Sequence, residues 1–146
     1  MWTMLIFKLI GSVLLISAAS MITDWIFSGS KWAHQYFSAA PEIWRPMEGD
    51  TSKHAERTVI TLSILMTFLF SVMYILFYFV MRPGLVFTSV LGRSVATAFF
   101  LWMLIPLPQL VTQHLFVKYH RAVTIMQLAG WFVKLLSASL IMSFLF

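Results

Sequence analysis

Between Val59 and Met81 the chain runs for 23 residues without a charged side chain. Three further apolar segments are of similar length: Leu5–Phe27, Leu85–Ile105 and Ala122–Phe146. Their interruptions are few, namely Lys8 and Asp24 in the first, Arg93 in the third and Lys134 in the fourth. Each segment reaches the ~20 residues that carry an α-helix across ~30 Å of hydrocarbon. In lipid every backbone N–H and C=O must be paired within the segment, so these segments are predicted as helices. Barrel strands would be about ten residues long with strict alternation, which none of the four shows. Leu9–Ile16 followed by Ser17-Ala18-Ala19-Ser20 resembles a cleavable leader. However, Met1–Phe7 carries no basic residue and the apolar run continues to Phe27, so the segment is read as a retained helix.

Local punctuation sets the predicted ends. Asp50, Thr51 or Ser52 can cap the second helix, because a short side-chain oxygen accepts an orphaned backbone N–H. Arg82-Pro83-Gly84 ends it, since Pro83 supplies no N–H and Gly84 permits a tight turn. Pro106 and Pro108 predict a kink or an end to the third helix, with Gln109–Arg121 as an interfacial connection anchored by His114, Lys118, Tyr119 and His120. The first loop, Ser28–Arg57, carries Trp32, Tyr36, Ala40 and Ile43 at helical spacing. Lys31, His34, Gln35 and Ser38 lie on the other side. That pattern predicts a short amphipathic helix lying in the interface. The expected architecture is therefore all-α: a single membrane domain, 1–146, built as a four-helix bundle with an interfacial aromatic cap over one end.

Composition agrees with that architecture and narrows the chemistry. Of 146 residues, 60% are apolar and 10% charged, against about 25% charged in a soluble domain. The mean hydropathy is +0.88. Ten Lys+Arg against five Asp+Glu give a net charge of +5. The cations are scattered beside apolar runs rather than gathered into a stripe, so lipid headgroups are the expected partner and nucleic acid is not. The first and third loops carry six basic residues: Lys31, Arg45, Lys53, Arg57, Lys118 and Arg121. The other side has Lys8, Arg82 and Arg93. Basic residues collect on the cytoplasmic face, which predicts those two loops inside and both termini outside.

The chain has no cysteine, which excludes disulfides, thiol redox chemistry and Cys-ligated metals. Its four histidines fall in connections or at helix ends, a placement unsuited to haem between helices. No phosphate-binding glycine loop and no nucleophile elbow occurs. No cofactor and no nameable catalytic group is predicted.

The remaining chemistry is polar side chains inside apolar segments. Ser63, Thr67, Ser71, Tyr74 and Tyr78 share one face of the second helix. Thr124, Gln127, Gly130, Lys134 and Ser137 share one face of the fourth. Such faces pack helices together through hydrogen bonds, or they line a polar cavity. Lys134 sits about halfway along its helix, where an ionised side chain costs a few kcal/mol or more. At ~1.5 Å per residue it lies about 17 Å below Ala122–Val123. Its side chain leans toward its own N-terminus, which is the side on which the first helix ends. Asp24 is the one acid inside an apolar segment, so the two are predicted to pair, provided that the first helix is tilted or longer than Leu5–Phe27. Arg93, with Ser89 and Thr97 on its face, is expected to reach headgroups or to hold an anion. Arg45 is expected to tie the cap to the polar core or to a headgroup.

At Asp24-Trp25-Ile26-x-x-Gly29, Tyr36, Trp44-Arg45-Pro46, Gly92, the Pro106/Pro108 pair and Gly130-Trp131-Phe132, the chain resembles a group of small bacterial membrane proteins with four predicted helices. The resemblance implies that fold and no activity. Members of the group often carry an acid in the fourth helix, where this chain has Lys134. The four-helix length is also similar to that of small multidrug transporters, without the glutamate those carry midway along helix one. Taken together, these features lead to the expectation of a multi-pass protein of the bacterial inner membrane. It would serve as a structural or accessory subunit of a larger membrane complex, or as a homodimer. The alternatives are a binder or transporter of a small amphipathic or anionic ligand, and an interfacial lipid-modifying enzyme using Asp24, His34 or Arg45. Asp24, Arg45, Arg93 and Lys134 are the candidate ligand-binding residues.

Overall fold

In a computed structural model the chain is described over residues 2–32, 35, 52–84, 89–116 and 121–146. Every regular element among them is helical. Helix α1 is Trp2–Asp24, followed without a break by a π-helical turn, Trp25–Gly29. Helix α2 is Ser52–Met81, closed by a 3₁₀ turn at Arg82–Gly84. Helix α3 is Val90–Leu104, α4 is Pro106–Phe116 and α5 is Arg121–Leu145. Among the described residues, four stretches are long and apolar enough to cross a membrane: Trp2–Gly29, Ile60–Gly84, Val90–His114 and Arg121–Leu145.

Several boundaries differ from those expected. The first span continues past Phe27 to Gly29, and α2 begins at Ser52 rather than near Val59. Pro106 breaks the third span as the expected kink, and the chain resumes helical form at once as α4, so the expected connection from Gln109 is helical as far as Phe116. Pro106 stands at the first position of α4, where its missing N–H costs nothing. Ser89 starts α3 by accepting the Gly92 N–H at 3.0 Å. Most of the expected interfacial helix in the first loop, the Trp44-Arg45-Pro46 element and the proposed caps Asp50 and Thr51 lie outside the described residues.

Helix α5 is the hub. It packs most extensively on α3, then on α1, and α1 in turn lies between α5 and α2. The core joins Ile16 of α1, Tyr74, Ile75 and Tyr78 of α2, Ala98 and Leu101 of α3, and Leu135, Ala138 and Met142 of α5. Outside it, large apolar side chains face outward along every span, the inverse of a water-soluble surface and the expectation for lipid-facing helices.

The polar face of α2 behaves as a packing face. Ser71 shares a 2.9 Å hydrogen bond with Ser17 of α1. The Tyr74 hydroxyl pairs with Ser139, and the Tyr78 hydroxyl with Ser143 at 2.9 Å, both on α5. Ser63, the fifth residue of the predicted face, is exposed. The partners on α1 and α5 carried no distinguishing signal in the sequence, because isolated serines are common in membrane helices. Small side chains at these positions let the backbones approach closely.

A candidate charged site between three helices

Lys134 donates to the Asp24 carboxylate at 2.7 Å. The predicted pair therefore forms directly, and the first helix is longer than Leu5–Phe27. Asp24 is the last α-helical residue before the π turn, and that wider turn carries the helix on for five residues. π turns inside helices hold one extra residue and re-aim the side chains around them. Here the turn seats Phe27 on Gly130 of α5. A Cβ added at Gly130 would stand 3.1 Å from the Phe27 Cβ, so only glycine admits this approach without a shift. Gly130 lies about one turn from Lys134, and the close contact fixes α1 against α5 beside the pair.

Aromatic rings complete the site. The Lys134 ammonium lies 5.2 Å from the ring centroid of Phe70 on α2 and 5.2 Å from that of Trp131 on α5. The two rings stand edge to face, 6.1 Å apart. A cation over two ring faces gains electrostatic attraction from both quadrupoles, ~0.5–2 kcal/mol each depending on desolvation. Carboxylate and rings together offset the loss of hydration at Lys134, whose side chain is 10% exposed. The site is asymmetric, because the Asp24 side chain is 51% exposed. Its helical neighbours Met21 and Trp25 are also exposed, Trp25 at 66%.

The other predicted site residues are not gathered here. Arg93 lies in the first turn of α3, on the side of the bundle where α5 ends. Thr97 turns its hydroxyl to the Arg93 carbonyl at 2.8 Å, and Ser89 is engaged as the helix cap. The Arg93 Nε is buried without a partner among the described residues. Arg45 lies outside the described residues. Of the predicted face on α5, Thr124, Gly130 and Lys134 are buried, and Gln127 and Ser137 are half-buried. Thr124 bonds His114 Nδ1 of α4 at 3.1 Å, which ties the two helices together near their shared connection. Among the described residues no three potential metal ligands come together.

What this arrangement offers chemically is a fixed ion pair with its cation enclosed and its anion accessible from one side. Among the described residues, no hydroxyl or imidazole bonds either member of the pair through its side chain. No protein-family model, curated protein or solved structure matches this chain.

Proposed function

We propose that this is a multi-pass protein of the bacterial inner membrane that acts as an accessory or structural subunit, docking onto a partner through the α1 surface around Asp24. One observation carries the reading: on a helix long and apolar enough to cross a membrane, a half-exposed carboxylate stands beside exposed Met21 and Trp25. A carboxylate facing lipid is costly, so a donor from outside the described chain suits that face. The buried hydroxyls support the same reading, since Ser17, Ser71, Tyr74, Tyr78, Ser139 and Ser143 are spent on one another between helices.

The test is native mass spectrometry of the protein extracted mildly from its own membrane. A stoichiometric protein partner is expected, lost when Met21→Ala and Trp25→Ala remove the exposed bulk beside Asp24. A small ligand bound instead, and lost in Lys134→Met, would overturn the subunit reading in favour of a binder or transporter.

A further inference from the structure

At the opposite end of the bundle two cations converge on the last residues of α5. Lys8 donates to the Leu145 carbonyl at 2.9 Å and lies 5.7 Å over the Phe146 ring. Arg82, in the 3₁₀ turn after α2, donates to the Phe146 main-chain oxygen. Cations at a helix C-terminus complement its dipole, but that role uses one N–H of each. An ammonium has three and a guanidinium five.

Among the described residues, no acid takes up the remainder. The five acidic residues are Asp24, Glu42, Glu48, Asp50 and Glu56, all between the last turn of α1 and the first turns of α2. Among the described residues, no side-chain anion is paired with Lys8, Arg82 or Arg93 at their end of the bundle. One turn before Lys8, on its own face, Met4 and Leu5 are exposed. Trp2, also exposed, is of the type that settles at headgroup level.

We infer that this end of the bundle is a binding surface for anionic phospholipid. Lys8 and Arg82 would hold the headgroup phosphate while the acyl chains lie along Met4 and Leu5. The inference rests on the chain residing in a membrane and is independent of any protein partner. The apolar wall beside the cations is the reason to assign lipid rather than free phosphate.

Two lipids with the same acyl chains test it: phosphatidylglycerol and phosphatidylcholine, offered in equal amounts to the protein in nanodiscs, with retained lipid read by native mass spectrometry. A preference for the anionic lipid of about fivefold per cation is expected, falling as salt is raised. Lys8→Gln with Arg82→Gln should abolish it, whereas Arg57→Gln at the other end should leave it in place. Equal retention of the two lipids overturns the inference, as does a preference that survives the double substitution. If the double variant does not fold, Lys8→Gln alone and the salt titration of the unaltered protein decide, and a salt-independent preference is fatal. Inorganic phosphate that displaces phosphatidylglycerol would reassign the site to a free anion. Failure to enter nanodiscs at all would instead reject the membrane reading on which the surface depends.

Discussion

Tyr74 and Tyr78 reach across to Ser139 and Ser143 with both partners buried, whereas Lys134, little more than a turn away on the same helix, reaches a carboxylate that is half exposed. The hydroxyl contacts are neutral and redundant. Ser139 also bonds the Leu135 carbonyl at 2.8 Å, and Ser71 the Thr67 carbonyl at 2.9 Å. Loss of one tyrosine hydroxyl leaves Ser139 with an acceptor in its own helix. The ion pair has no such reserve, because Asp24 is the only anion on Lys134 among the described residues. Hydroxyls can therefore hold helices together at small individual cost, while a single charged pair concentrates its effect in two residues.

The largest expected effect comes from breaking the pair on one side. Asp24→Ala leaves Lys134 buried without its counterion and should destabilise the bundle by ~3–5 kcal/mol, read by unfolding in mixed detergent micelles. Removing both charges, as Asp24→Leu with Lys134→Met, should recover most of that loss. Exchanging them, Asp24→Lys with Lys134→Asp, sharpens the comparison further. If the exchanged protein is no better folded than either single variant, the pair is not what holds α1 to α5.

Next in size is Gly130→Val, which drives a side chain into Phe27. Overpacking of ~1–3 kcal/mol is expected, together with a weakened Asp24–Lys134 contact. That weakening would be seen as a smaller additional penalty for Asp24→Ala on this background. Additivity of the two substitutions would show that the π turn and the pair act separately. Trp102→Phe removes the indole donor to the Leu128 carbonyl, 2.8 Å away across α3 and α5, and should cost ~1 kcal/mol. Smallest of all, Tyr74→Phe should cost about 0.6 kcal/mol, the average for hydrogen bonds between membrane helices. A loss for Tyr74→Phe as large as that for Asp24→Ala would erase the distinction between the two regions.

The four spans were legible because the length needed to cross hydrocarbon leaves few alternatives for a run such as Val59–Met81. The pair was legible because only one acid and one mid-helix lysine lie inside apolar segments. Its reach was not, since nothing in Trp25–Gly29 announces a π turn that prolongs the helix. The stripe Thr124–Ser137 described α5 incompletely for a different reason. All the other spans pack on α5, so it buries more than one face, and Ser139 and Ser143 fall outside any single stripe. Either a kink or an end was expected at Pro106, and the kink forms, because a proline that ends one helix also fits the first turn of the next.

Sequence by itself determined the number of spans, the absence of cysteine chemistry and the candidates for buried charge. These follow from residue type and segment length, which are local properties. Tertiary structure alone decided that Asp24 stays half open while Lys134 is enclosed by Phe70 and Trp131. It also decided that Ser17 meets Ser71, and that Lys8 and Arg82 converge on the end of α5. Those outcomes depend on the rotation and relative height of packed helices, which side-chain contacts such as Phe27 on Gly130 fix and no periodicity encodes.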